Sequence, residues 1–292
     1  MPPRSPSAAV RRQRRRLRTG AMLAALVAVV VGGTALAVRQ LDDSEVLIRE
    51  RCSATVGADT FELTPEQAGN AALIAGVAVS RGLPARAASI AIATAIQESR
   101  LENIDYGDTA GPDSRGLFQQ RPSQGWGTEE QIMTPLYAAG AFYDALVKIP
   151  GYGTLPITEA AQTVQRSAYP TAYADHEPEG RAFASALTGQ SPAALDCTLR
   201  DPSAAGEPLA VSTAAEEVFG PLGGTVDGTR LTLDAAETRG WAVAQWAVAN
   251  ASALQITSVA FSGLEWGRAD GGWSSATTET GTVTITVAGV SP

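Results

Sequence analysis

Residues 20–38 read GAMLAALVAVVVGGTALAV, nineteen positions without a charge. At about 1.5 Å per residue, a helix of that stretch reaches roughly 28 Å, one hydrocarbon core. Immediately before it stands RRQRRRLR, residues 11–18. Arginines on the N-terminal flank put residues 1–19 on the cytoplasmic side and the body from residue 39 onward outside. Two readings share that consequence. One is a single-pass anchor in the cell membrane. The other is a signal peptide cut after the small-x-small triplet Ala35-Leu36-Ala37, which leaves a secreted body. The apolar run exceeds the usual signal-peptide core, which favours the anchor. One uncharged span is too little for a transporter, whose spans carry polar groups for their cargo.

The charge divides at the same place. The chain has 22 basic and 30 acidic residues, a formal net charge of −8. Eight of the arginines (Arg4, Arg11, Arg12, Arg14, Arg15, Arg16, Arg18 and Arg39) lie in residues 1–39, which hold no acid. A body that acidic repels a phosphate backbone, so nucleic acid is excluded as a partner. His176 is the single histidine, and Cys52 and Cys197 are the two cysteines. A zinc site of the usual composition needs three or four such ligands at short spacing, so no metal and no other cofactor is expected. Outside the cytoplasm the two cysteines are expected to pair. Cys52 precedes the first helical pattern and Cys197 follows the last one of the first domain. A bridge between them ties both ends together, for roughly 5 kcal/mol in the chain-entropy model.

The patterning gives an α+β chain in several parts: a basic tail (1–19), the transmembrane helix or signal anchor (20–38), a stalk (39–58), an all-α domain (59–199), a linker (200–212) and a small α+β domain (213–292). Thr64-Pro65-Glu66-Gln67 opens the first helix with a capping-box arrangement. That helix runs to about Ser80. Others are expected from Pro84 to about Arg100, Pro135 to Lys148, Thr158 to Ser167 and His176 to Leu187, with a long irregular segment over 101–131. Beyond the linker, short helices and strands alternate. The segment TVTITV, residues 282–287, has the period of two that marks a half-buried strand.

On the second helix, Ala91, Thr94, Ala95 and Glu98 share one face at helical spacing. A stripe of small residues lets other backbones approach, so Glu98 is expected to be partly enclosed. Partial burial raises a carboxyl's pKa and lets it hold a proton near neutrality, as a general acid for glycosidic cleavage requires. The competing reading is a solvated acid in a last helical turn. The loop that follows weighs against it, because glycine-punctuated text leads to Gly116-Leu117-Phe118-Gln119-Gln120. Glu98-Ser99 followed by Gly116-Leu117-Phe118-Gln119 resembles the lysozyme-like lytic transglycosylases, whose pattern is Glu-Ser and then Gly-Leu-Met-Gln. The stretch from Ala161-Gln162 through Gln165-Arg166-Ser167-Ala168-Tyr169-Pro170 to Tyr173 is similar to the late substrate-lining helix of actinobacterial members.

The resemblance implies an α-helical lysozyme-like domain that cuts the β-1,4 bond between N-acetylmuramic acid and N-acetylglucosamine in peptidoglycan. It implies Glu98 as general acid and then base. Ser99 would orient Glu98 or the peptide stem, Gln119 would bind sugar, and Tyr169 or Tyr173 would line the cleft. The family's late Ala-Tyr-Asn is absent, and Ser167-Ala168-Tyr169-Pro170 is the nearest text. Asp105, Asp108 and Asp113 are the candidates for a second carboxylate. A hydrolase needs one, whereas a transglycosylase uses the substrate's own 6-hydroxyl. Trp126 reads equally as a sugar platform or a loop anchor. The alternative class is a non-enzymatic wall-binding or scaffold protein. Residues 240–273 weakly resemble part of a degenerate D-Ala-D-Ala metallopeptidase-like domain. With no histidine or cysteine beyond Cys197, it is expected to be metal-free. Trp246 reads as core, and Trp266 and Trp273 as exposed around a glycine-rich turn.

Overall fold

Thr64 closes the expected capping box. Its Oγ1 accepts from Gln67 N at 3.3 Å, and Gln67 Oε1 accepts from Thr64 N at 2.9 Å. Two orphan amides at the helix start are thereby satisfied. The computed structural model describes residues 32–33, 48–109, 111–166 and 171–290. Within them the first helix, α1, is Pro65–Ser80. It is followed by α2 (Ala85–Ser99), the one-turn α3 (Glu129–Ile132), α4 (Pro135–Leu146), α5 (Ile157–Gln165) and α6 (Glu177–Leu187). Helix α2 is the centre of this group, with every residue from Ala87 to Ile96 buried. A helix enclosed all round belongs inside a core rather than on a surface. Its contact with α6 is close because Gly180 has no side chain. A Cβ there would stand 2.9 Å from the Ser89 carbonyl oxygen.

The first domain is not all-α, which corrects the expectation. Strands β1 (Arg51–Val56) and β2 (Asp59–Leu63) form a hairpin, and β3 (Leu195–Thr198) pairs antiparallel with β1 to give the sheet order β2-β1-β3. Gly57, at φ +65°, takes the first position of the two-residue turn, where a side chain would be strained. The physical cause is long-range. Cys52 and Ala54 point inward, and Cys52 lies directly opposite Cys197, to which it is disulfide-bonded. A strand read as stalk is thus held by a partner 145 residues away in sequence. No helix among the described residues is long and apolar enough to cross a membrane. The expected span over residues 20–38 lies outside the described residues, apart from 32–33.

The remaining elements are α7 (Pro208–Phe219), β4 (Gly224–Asp227), β5 (Arg230–Asp234), α8 (Glu237–Ala249), β6 (Ile256–Phe261), β7 (Leu264–Gly267), β8 (Trp273–Ser275) and β9 (Thr282–Val287). The strands make one six-stranded antiparallel sheet, ordered β4-β5-β9-β6-β7-β8. Helix α8 is buried from Gly240 to Ala249, between this sheet and helices α1 and α6. Residues Arg49–Pro292 form one compact unit.

A polar seam joins the two sheets. Gln245 Oε1 accepts from Ala194 N and Leu195 N, and its Nε2 donates to Ala186 O and Ser191 O. Trp266 is fully buried, not exposed, and its Nε1 donates to Asp196 Oδ1 at 2.8 Å. Trp273 is half-buried and donates to Leu195 O. Trp246 is core. The stretch before α7 is pinned as well, since Gly206 N donates to Ala288 O and Ser203 N to Gln255 Oε1.

Candidate active site

Glu98 stands in the last turn of α2, one residue before the helix ends at Ser99. Arg100 and Leu101 follow with φ of 57° and 60°, a left-handed exit that turns the chain into the loop. The Glu98 side chain is half-buried, and two groups hold its carboxyl. The Tyr173 hydroxyl donates to Oε1 at 2.6 Å, and the Gln165 side-chain amide hydrogen-bonds the same carboxyl. Burial pushes the Glu98 pKa above its ordinary value, and the Tyr173 and Gln165 hydrogen bonds oppose that rise without cancelling it. The partial negative charge at the C-terminus of α2 acts in the same direction as burial. The result is a positioned carboxyl that holds its proton more tightly than a surface glutamate.

The loop beside it is built on a reciprocal pair. Arg115 N donates to Gln120 O, and Gln120 N to Arg115 O. Between them, residues 116–119 make a tight turn that starts at Gly116 (φ +75°), where a Cβ would stand 2.7 Å from Ile132 O. Leu117 and Phe118 are fully buried, and Phe118 stacks on Phe142 with ring centroids 4.7 Å apart. The two buried carbonyls of this turn are capped from two helix ends. Ser99 Oγ donates to Leu117 O at 2.8 Å, and Gln165 Nε2 donates to Phe118 O at 2.7 Å. Gln165 thus joins the loop to the Glu98 carboxyl.

Of the residues expected in the site, Glu98 and Tyr173 are brought into direct contact. Ser99 is adjacent, but its buried hydroxyl is committed to Leu117 O and Ala95 O, so it fixes the loop rather than the carboxyl. Gln119 is half-buried at φ 47°, with its Nε2 donating to Gly116 O at 3.2 Å. Tyr169 lies outside the described residues. Cys52 and Cys197 are bridged and frame the domain. Among the candidate second carboxylates, Asp113 is held well below the usual carboxylate range by Ser123 and Arg121, and it serves as a loop clamp. Asp108 accepts from Gly111 N, and Asp105 is exposed. His176 Nε2 pairs with Gln97 Oε1 at 3.0 Å, and burial lowers its pKa. Among the described residues, no three His, Cys, Asp or Glu side chains come together as a metal site.

Gln165 was legible in the late motif but not as a carboxyl partner, because its two contacts come from α2 and from the loop. It also lines a cleft of about 450 Å³. Trp126, Tyr137, Lys148 and Arg166 share that lining, while Glu98 itself does not, so Gln165 is the connection between cleft and carboxyl. Trp126 packs against the core and also lines the cleft. Tyr137 Oη donates to its carbonyl oxygen at 3.1 Å. A comparison with known proteins finds no family model and no curated protein that the sequence matches.

Proposed function

We propose that this protein cleaves peptidoglycan glycan strands at the N-acetylmuramic acid to N-acetylglucosamine β-1,4 bond, as a lytic transglycosylase. The observation that carries the reading is the Glu98 carboxyl, half-enclosed with a raised pKa and held by Tyr173 and Gln165. The protonated carboxyl donates to the glycosidic oxygen as the C1–O bond breaks, which relieves charge on the leaving sugar. The carboxylate left behind then takes the proton of the muramyl 6-hydroxyl as that oxygen attacks C1. A 1,6-anhydro end forms and Glu98 is protonated again. Tyr173 and Gln165 stabilise the carboxylate between the two steps, since both hydrogen bonds favour its charged form. One carboxyl suffices for this sequence. Asp113, a candidate second carboxylate, is committed to Arg121 and Ser123. The disulfide fits an oxidising, extracytoplasmic setting, where the substrate lies.

The test is mass spectrometry of muropeptides after digestion of purified peptidoglycan. Anhydro-muramyl ends are expected. Reducing ends would replace this reading with hydrolysis. No soluble product at all would leave a wall-binding protein on this fold.

A further inference from the structure

The cleft next to Gln165 is an electrostatic exception in an acidic molecule. Its charged lining residues are Asp144, Lys148 and Arg166. Asp144 is paired with Arg81, so its charge is already matched. Lys148 and Arg166 are exposed, and neither side chain has a hydrogen-bond or ion-pair partner among the described residues. Lys148 is the single lysine of the whole chain. The same cleft carries Trp126 and Tyr137, flat faces suited to a sugar ring, and it reaches the candidate acid through Gln165. Two cations without a partner among the described residues, beside two aromatic side chains, fit a ligand that joins a sugar to carboxylates. Neutral amino-sugar polymers offer nothing to the cations. A muramyl residue with its peptide stem offers both halves, because stems carry free carboxylates.

We infer that Lys148 and Arg166 recognise the carboxylates of the peptide stem, so that the protein prefers glycan whose stem carboxylates are free over glycan in which they are blocked. The inference rests on the proposed glycan cleavage for its substrate. Ammonium and guanidinium groups reach carboxylates through charge-assisted hydrogen bonds, and pairing exposed groups across a solvated cleft is weakened by salt. Exposed pairs are individually modest, so the two together are expected to give about a tenfold preference at low ionic strength.

The experiment uses the full chain carrying Glu98→Gln, which holds the polymer uncut. Its co-sedimentation with insoluble peptidoglycan is compared with that on the same polymer after a carbodiimide and methylamine have converted the stem carboxylates to neutral amides. Tighter binding to the untreated polymer is expected, falling to the level of the amidated polymer at about 1 M salt. Adding Lys148→Gln and Arg166→Gln is expected to remove the preference, and Lys148→Glu to reverse part of it. Equal binding to both polymers, or a preference that survives loss of both cations, overturns the inference. Cleavage by the unsubstituted protein is read separately. Preferential binding without any glycan cleavage would retain stem recognition and reject the enzymatic reading.

Discussion

The two halves of residues 49–290 treat buried polar groups in opposite ways. In the C-terminal half, Gln245 uses both ends of its amide on four backbone groups, and Arg268 donates to Arg200 O, Ala251 O and Ile256 O. Asp196 and Trp266 close the same seam. Each such group is matched, and the reward is a fixed junction. Around Glu98 the accounting differs. The carboxyl sits in a place that disfavours its charge, and its hydrogen bonds only partly restore it. The seam satisfies the polar groups that build it, whereas the place that holds Glu98 raises its pKa and leaves the carboxyl only partly compensated.

The largest expected effect is at Glu98. Glu98→Gln keeps the shape and removes the proton, so glycan cleavage should fall by roughly 10²- to 10⁴-fold, read as soluble muropeptide release. The same change should stabilise the fold near neutrality. A folded pKa raised above the unfolded one contributes stability that is complete below the ordinary value of 4.5 and is lost as pH rises through the folded pKa. Glutamine avoids that loss. The thermal midpoint should therefore rise at pH 7 and match the parent at low pH. A variant that lost activity and also melted lower at pH 7 would break the contrast between the halves.

Next comes the bridge. Cys52→Ala with Cys197→Ala should cost roughly 2–5 kcal/mol in denaturant unfolding, because it frees a long loop in the unfolded chain. At the seam, Gln245→Leu leaves Ala194 N, Leu195 N, Ala186 O and Ser191 O without their side-chain partner and should cost about 3 kcal/mol. The loss should appear as one cooperative transition, since the seam belongs to both sheets. Two separate transitions would mean that the halves fold independently.

The smallest effect sharpens the acid's side of the comparison. Tyr173→Phe removes a hydrogen bond that lowers the Glu98 pKa. Activity should drop about tenfold, and its descending alkaline limb should move to higher pH, because the carboxyl keeps its proton longer. A limb that moves to lower pH would contradict the role given to Tyr173.

What was legible in the sequence was local. The Thr64–Gln67 capping box lies within four residues, and the strand Thr282–Val287 announces itself by alternation. Helix α2 and Glu98 near its end were equally readable, since the spacing alone places that residue. Partners distant in sequence were not readable. The β1–β2 hairpin is held by β3 and the disulfide, so β1 looked like stalk and β2 like the start of an all-α domain. Trp266 looked exposed beside glycines because its partner, Asp196, is 70 residues earlier. Gln165 had no local feature to distinguish it from any amide at a helix end. Its importance comes from facing Phe118 O and Glu98 together.

The bond between Cys52 and Cys197 also changes what a broken chain means. It closes a covalent ring through which the backbone runs from α1 to α6, and Glu98, the 116–119 turn, Gln165 and Tyr173 all lie on that ring. Residues Glu102, Asp105, Tyr106, Asp108 and Thr109 are exposed on it and offer an attacking protease its easiest approach. A single cut there opens the ring without dividing the molecule. Both fragments stay attached and keep their mass together until a reductant is added. In an oxidising setting a nicked copy thus keeps its acid and its loop joined.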